Sequence, residues 1–371
     1  MAGIAADIHI HSCFSMATSK DMVPERILKG CQTKGIAAIG TGDALHPTWR
    51  QMWEDVSNDS GIIILPTTEV EDENRVHHLI AAETPDSFAV MQESFTPFCS
   101  HLETAGRPHI RLKGEAIAKI VHEAGGFIGP AHAFTPWRSI YAAFSSLADC
   151  YGDEEVSFLE LGLSADSRDG AGIEELAKIP FLTNSDAHSP VPEKLGRECT
   201  ILDLQRMDVS SLLSAIREGR ILMNIGFFPE EGKYNRTACT RCFHQYTLEE
   251  AVDLKWRCPD DKGRIKKGVS DRARELSGKN VTKRPPYIHI LPLAEIIANR
   301  LGTCSPRTKK CTLLYDELIE TFGDELSILL HLPTDEIRSV HPGVADAIAA
   351  FREGRVTLHP GGGGQYGTFS F

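Results

Sequence analysis

"ADIHIHS", residues 6–12, places two histidines two positions apart at the end of a short apolar stretch. On an extended chain, side chains alternate faces, so His9 and His11 project from the same face. That is the spacing two imidazoles need to reach one divalent ion. A second patch, "NSDAH" at 184–188, offers Asp186 and His188 after another apolar stretch. Between them the pattern recurs: Asp43 and His46 in "IGTGDALH" (39–46), Glu69 in "LPTTEVE" (65–71), His77 and His78 in "RVHHLI" (75–80), and His132 in "FIGPAH" (127–132). Each follows a strand-like run. A lone His-x-His means little; recurrence at the end of run after run points to one convergent site.

The apolar runs predict strands over Ala5–Ile10, Ala37–Gly40, Ile62–Pro66, Val76–Ala81, Phe127–Pro130, Phe158–Leu161 and Phe181–Thr183. Helices are expected over Pro24–Lys34, with proline in its first turn, Lys113–Ala124 and Glu174–Ala177. Glycines at 35, 61, 125 and 126 mark connections. This alternation predicts a parallel, barrel-like α/β sheet whose strand C-termini share one rim. Neutral imidazoles with a few carboxylates suit zinc, manganese or iron, and Glu69 could bridge two ions. Clustered ions of this kind activate water and stabilise an in-line phosphoryl displacement. The strand carrying His77 and His78 is apolar on both faces, so either could be the ligand. His122 in "VHEAGG" lacks the second histidine of a metalloprotease motif and reads as a helix residue.

With 371 residues, 42% hydrophobic and 24% charged, the chain has the make-up of a soluble globular protein larger than one typical domain. No basic segment followed by an apolar one opens the sequence, and no apolar run reaches the roughly 18–20 residues of a membrane span. A cytoplasmic, nucleoid-associated location without membrane contact is the expectation. The net charge of −12 argues at first against nucleic acid, but its distribution is uneven. Residues 255–310 hold fifteen Lys/Arg against five Asp/Glu, which leaves the remainder at −22. An acidic catalytic body joined to a basic binding module follows.

A boundary falls near Pro229–Lys233. Beyond it, "CTRCFHQYTLEEAVDLKWRCPDD" (239–261) sets Cys239, Cys242 and Cys258 at zinc-ribbon spacing. Where a fourth cysteine would sit stands Asp261, and either Asp261 or His244 could complete a tetrahedron. Cys13, Cys31, Cys99, Cys150 and Cys199 read as buried apolar thiols, as do Cys304 and Cys311, which could otherwise serve as a distant substitute for the fourth ligand. Next, "GRIKKGVSDRAREL" (263–276) interleaves positive charge with glycine and isoleucine, as in loops that track a phosphate backbone. Helices are expected over Leu293–Leu301, Leu313–Leu330 and Gly343–Glu353. The glycine-rich end, "HPGGGGQYGTFSF", offers backbone amides at Gly361–Gly364 and the ring of Tyr366 for phosphate or base contact.

"ADIHIHS", "PTTEVE", "VHHL", "GPAH" and "NSDAH", in that order over roughly residues 1–225, resemble the PHP (polymerase and histidinol phosphatase) domain. That resemblance implies a distorted (β/α)7 barrel with a multinuclear metal site that hydrolyses phosphate esters. Two departures stand out: Met16 where many members carry aspartate, and "GDAL" followed by His46 where they carry "TDH". "DIHIHSCFSMATSKDM", "GTGDALHPTW", "CTRCF", "YTLEEA", "WRCP" and "GRIKKGVSDR" extend the likeness over nearly the whole chain, to the endonuclease Q family.

What that resemblance implies is a PHP nuclease domain (1–228), a zinc-ribbon-like module (229–271) and a helical C-terminal DNA-binding region with a glycine-rich tail (272–371). The activity implied is nicking of DNA 5′ of uracil, hypoxanthine, xanthine and abasic sites. His9, His11, Glu69, one of His77 and His78, His132 and Asp186 would bind two divalent metals (zinc, magnesium or manganese), with His9, His11, Glu69 and Asp186 central to catalysis. Asp43, His46 and His188 would hold or support a third. A structural zinc on Cys239, Cys242, Cys258 and Asp261 is a further expectation. Lys262, Arg264, Lys266, Lys267, Arg272, Arg274 and Tyr366 are the expected DNA contacts. The partner would be double- or single-stranded DNA carrying such lesions, with replication or repair factors as possible company. The alternative is a small-molecule phosphoesterase acting on histidinol phosphate or a nucleotide, which leaves residues 233–310 without a purpose.

Overall fold

A computed structural model describes residues 3–371. Strands β1 (Ile4–Asp7), β2 (Ala38–Gly40) and β3 (Ile63–Leu65) pair in parallel. Pro66, which cannot donate to the ladder, ends β3, and the chain resumes as β4 (Thr67–Glu71). The N–H groups of Thr41 and Ala44 reach the carbonyls of Leu65 and Thr67, carrying the sheet across that break. β4, β5 (His77–Ala81) and β6 (Phe127–Pro130) then run antiparallel. Ser157 N–H bonds the Ile128 carbonyl and leads to the parallel pair β7 (Leu159–Glu160) and β8 (Phe181–Leu182). The circuit returns to β1 through a parallel bridge between Ile10 and Ala187, with His11 N–H on the Ala187 carbonyl.

β1 therefore divides its partners. Its first residues pair antiparallel with β9 (Cys199–Leu202), which carries β10 (Ile221–Gly226) on its far edge. Its extension, residues 8–11, turns to the chain after β8. The crossing is close: a Cβ on Gly42 (φ +62°) would lie 2.1 Å from the Ile10 carbonyl oxygen. The parallel sheet expected from the alternation is thus correct for β1–β3 and β7–β8 and wrong for β4–β6. A tight turn over Asp72–Arg75, closed by Val76 N–H on Asp72 Oδ1, folds β5 back on β4.

The helix Pro24–Lys34 forms as expected. It has proline and Glu25 in its first turn, Lys34 in its last, and Gly35 (φ +86°) as its left-handed stop. Gly114–Glu123 matches its expected range, whereas Glu174–Ala177 is only a 3₁₀ turn at Glu174–Leu176. The expected helix Leu313–Leu330 is two, Lys309–Phe322 and Glu325–Leu330. They part at Gly323 (φ +102°), where Asp324 caps the second by accepting Ser327 N–H.

β11 (Ala238–Cys239) and β12 (Ile265–Lys266) hold the cysteine module around a small core of Cys239, Ala251, Cys258 and Ile265. β13 (Tyr287–His289) then joins the main sheet in parallel beside β10. The helices that follow share a core with the barrel: Ile297, Leu318, Ile328 and Ile348 pack in one cluster with Ile10, Ile27, Ile36 and Trp49. Among the described residues, no helix is long and apolar enough to cross a membrane.

A buried ion pair fastens that junction. Lys34 Nζ donates to Glu325 Oε1 at 2.7 Å, and both side chains are almost wholly buried. Glu325 also accepts Leu293 N–H at 3.0 Å and Tyr315 O–H at 2.7 Å, so both carboxylate oxygens are engaged. Removing one partner of such a pair leaves the other charge uncompensated. Glu325→Ala is expected to cost about 3–5 kcal/mol in urea unfolding. A loss below about 1 kcal/mol would mean that the pair is not what holds the junction.

Candidate active site

His9 and His11 lie just beyond β1, on the extension that bridges to Ala187, and their rings stand 5.2 Å apart. Their Nε2 atoms lie 3.7 and 3.1 Å from Asp186 Oδ1. On the other side, Glu69 Oε1 is 2.7 Å from His77 Nδ1 and 3.0 Å from His132 Nε2. Glu69 also stands 3.8 Å from His9 Nε2 and 3.5 Å from His11 Nε2, so one carboxylate lies between two ligand groups. Those groups, His9–His11–Asp186 and Glu69–His77–His132, each gather their ligand atoms within 4.8 Å.

Three of the residues that close the rim, Asp43, His132 and Asp186, have left-handed φ values of +49°, +31° and +47°. Non-glycine residues seldom adopt that region unless the surroundings impose it, and such strain collects at functional sites.

These residues fit a divalent cation. The Nε2 atoms of His9 and His11 are buried and meet no hydrogen-bond partner. Burial alone would lower the pKa of His9, but the Glu160, Asp186 and Glu69 carboxylates outweigh it and push it up to about 10. His11 is raised to about 9, against burial, by Asp186, Asp43 and Glu69. Burial would raise Glu69 and Asp186, yet the surrounding imidazoles hold both well below the usual carboxylate range. A potential that retains protons this firmly favours any cation placed between the rings.

β5 separates the two adjacent histidines. His77 faces the cluster, while His78 points to the opposite side, with Nδ1 2.7 Å from Tyr151 Oη and Nε2 3.4 Å from Asp72 Oδ2. Asp43 sits behind His11: its Oδ1 lies 3.3 Å from His11 Nδ1, and its Oδ2 accepts the Ser12 N–H and the Ser12 and Ser15 hydroxyls. His46 caps the helix Pro47–Asp55 by accepting Trp49 N–H and stacks on Phe14 at 4.0 Å. His188 lies 4.4 Å from the His11 ring. The structure does not gather Asp43, His46 and His188 into one ligand group.

Two neighbours escape the sequence patterning. Glu160 accepts His9 Nδ1 at 2.9 Å, His132 N–H at 2.8 Å and the Asn184 amide at 3.0 Å, fixing the ring that presents Nε2 to the centre. It interrupts the apolar run Phe158–Leu161 from within, and only the observed strand, which stops at Glu160, shows it to be a strand-end residue like Glu69. Arg107 donates to Glu69 Oε2 at 3.1 Å from a loop without any distinguishing pattern.

A cleft of about 480 Å³ opens over this floor. His77, His132, Asp186 and His188 line its base, with Arg107, Arg138, Lys194, Arg197, Lys233 and Arg307 around it. Trp137, Tyr234 and Tyr366 complete the wall. Trp137 and Tyr234 meet edge to face at 4.7 Å, Lys266 lies 4.4 Å over Trp137, and Lys233 lies 5.5 Å from the Tyr366 ring.

The other basic residues differ in availability. Lys267 pairs with Glu275 at 2.7 Å, and Arg274 lies 3.4 Å from Asp271. Lys262 Nζ donates to the Pro259 carbonyl, and Arg264 bridges to Arg257 through its backbone. Arg272 donates to the Tyr141 and Phe144 carbonyls, docking the module on the barrel. The Gly361, Gly362 and Gly364 amides, expected to be open to phosphate, donate instead to the carbonyls of Glu230, Gln365 and Lys233.

In the cysteine module, Cys239, Cys242, Cys258 and Asp261 bring their ligand atoms within 4.8 Å of one another. Cys242 and Cys258 Sγ are 3.6 Å apart, and Asp261 Oδ1 is 3.4 Å from Cys239 Sγ. His244 is turned against Tyr246 instead.

Comparison with known proteins places this geometry. A family model described as the MJ0043 C-terminal domain matches residues 292–355, and one described as PHP-associated matches residues 175–221. The uncharacterized protein YqxK of Bacillus subtilis is 32% identical, with 99% of each chain covered. The uncharacterized protein MJ0043 of Methanocaldococcus jannaschii is 41% identical over 248 residues, which are 65% of this chain and 31% of that one; the chain thus spans about a third of its length. The crystal structure of the lesion-specific endonuclease PfuEndoQ from Pyrococcus furiosus superposes with a TM-score of 0.94 at 42% identity, covering 99% of this chain and 95% of that one. The chain belongs to the endonuclease Q family. Another endonuclease Q structure, in complex with a 27-mer duplex carrying an abasic lesion at its active site, superposes at TM-score 0.95 and 42% identity over 99% of this chain and 96% of that one. The mixed α/β fold is consistent with the PHP-type barrel that the resemblance implies.

Glu160→Gln keeps the shape but removes the charge that orients His9. Isothermal titration is expected to read a metal affinity weakened about 10–100-fold, and unchanged affinity would remove Glu160 from the site. In the module, Asp261→Cys is expected to tighten zinc binding and Asp261→Ala to weaken it, read by chelator competition. Equal affinities in the two variants would count against Asp261 as a ligand.

Proposed function

We propose that this endonuclease Q nicks DNA on the 5′ side of abasic sites and of the deaminated bases uracil, hypoxanthine and xanthine. One observation carries the reading: two ligand groups, with Glu69 lying between them, reach through His77, His132 and Asp186 the floor of a cleft walled by cations and aromatic rings. His9, His11 and Asp186 would hold one divalent ion and Glu69, His77 and His132 a second, with His188 and Asp43 as support. Zinc, magnesium and manganese all suit such donors, and a third ion would need ligands beyond these. Ions there supply Lewis-acid polarisation of the phosphate and activation of water. Glu160 keeps the His9 ring aimed. Arg107, Lys233 and Arg307 neutralise and position the phosphates around the cut. Trp137 and Tyr366 offer faces on which an extruded base stacks. A deaminated base pairs poorly and an abasic site not at all, so extrusion costs less there than at an intact pair.

In this reading residues 1–228 form the nuclease domain. Residues 229–271 form a zinc-ribbon-like module whose Lys266 reaches the cleft edge, and 272–371 form a helical region that completes the binding face. Single-stranded DNA is a second substrate of the same site. A cytoplasmic enzyme on the nucleoid, working beside replication or repair factors, would meet such lesions. A small-ester phosphatase would have no use for a basic rim of this extent, and salt separates the two. DNA cutting should weaken steeply between low and moderate salt, whereas turnover of a small phosphate ester should not.

End-labelled duplexes carrying uracil, hypoxanthine or an abasic site, with Mg²⁺ or Mn²⁺, test the proposal. The expected product is a single nick 5′ of each lesion, absent with Asp186→Asn. Equal cutting of undamaged duplex, or rapid hydrolysis of small esters beside intact lesion DNA, would overturn it.

A further inference from the structure

The loop between β1 and the helix Pro24–Lys34 carries Met16, a large apolar side chain that is 76% exposed. Its neighbour Ala17 lines the cleft and adopts a left-handed φ of +62°. Isolated exposed apolar side chains are common on protein surfaces and need no explanation. Met16 differs in what holds it. The Asp43 carboxylate, fully buried, accepts Ser12 N–H at 2.7 Å, Ser12 O–H at 2.5 Å and Ser15 O–H at 2.7 Å, all within four residues of Met16. Ser19 N–H bonds the His188 carbonyl at 2.8 Å, and Lys20 Nζ bonds the Cys13 carbonyl at 3.0 Å. The loop is thus braced against two site residues and presents one exposed thioether next to Ala17, which lines the cleft.

A protein that extrudes a nucleotide from a duplex leaves a gap in the stack, and inserted apolar side chains, methionine among them, fill such gaps in DNA. An unbranched, polarizable thioether adapts to a base face without a fixed shape. The braces prevent the loop from folding away when it meets the helix. We propose that Met16 is the wedge of this enzyme, entering the base stack at the lesion and occupying the space the extruded nucleotide vacates. The inference rests on the proposed action on duplex lesions, and it assigns the duplex-opening step to a side chain outside the metal cluster.

The test compares Met16→Ala and Met16→Leu with the wild-type enzyme on one uracil-containing strand, presented as a duplex and as a single strand. Met16→Ala is expected to slow duplex nicking by roughly tenfold or more, since unstacking is then unassisted. It should leave single-strand nicking at the wild-type rate, and Met16→Leu should restore the duplex rate. A 2-aminopurine placed beside the lesion should brighten on binding Asp186→Asn and stay quenched with the Met16→Ala/Asp186→Asn double variant. Equal rates of Met16→Ala and wild type on both substrates would overturn the wedge, as would equal losses on both or an unchanged 2-aminopurine signal. If wild type cuts neither uracil substrate, the fault lies with the proposed function rather than with Met16.

Discussion

A carboxylate in the interior must be paid for by nearby positive charge, and Glu69 shows how this enzyme is arranged around that requirement. Its side chain is wholly buried and lies within 4 Å of His9, His11, His77, His132 and Arg107. Burying a lone carboxylate costs several kcal/mol even after relaxation. The strand ends that converge on Glu69 therefore cannot be chosen independently: each supplies part of the compensating charge. The left-handed backbone at Asp43, His132 and Asp186 follows from the same demand, since the chain must turn sharply at each strand end to aim a side chain inward. Strain at these three residues accompanies a centre that draws its candidate ligands from five separate segments.

Support for the centre is layered. Glu160 orients His9, Asp43 backs His11, and Glu71 lies 3.2 Å from the outer nitrogen of His77. Most of the imidazoles thus have a carboxylate behind them as well as one in front, which fixes both the ring and the nitrogen it presents. Asp43 does two jobs at once, since the oxygen not facing His11 braces the loop of Ser12 and Ser15.

The site was more legible in the sequence than the sheet that builds it. Ligands at strand ends follow a local rule, apolar run then polar residue, and that rule found His9, Glu69, His132 and Asp186. The choice between His77 and His78 needed the structure, because a strand buried on both faces shows no alternation in polarity. Strand direction was harder to read: the turn at Asp72–Arg75 contains no glycine, and Asp72 and Asn74 are its sole turn-forming residues to announce that β5 folds back on β4. The helices Pro47–Asp55 and Pro85–Phe95 were missed although each starts with a proline in its first turn. Asp43 and His46 looked like ligands because spacing reports only which residues lie near a strand end. Which way each side chain turns is decided by the Ser12 hydroxyl and the Phe14 ring, both contributed by another segment. Arg107, on a loop fixed by contacts distant in sequence, left no trace at all.

The common core of barrel and C-terminal helices bears on how the protein is made. Ile27 on the first helix packs in the same cluster as Ile297, Leu318 and Ile348. On the ribosome, therefore, the cluster around the first helix stays incomplete until more than three hundred residues have emerged. The candidate ligands of the histidine–carboxylate centre are all synthesised by residue 188, long before that packing is complete. A half-made chain holds the full set of ligands but not the packing that keeps β1 and its two histidines in place.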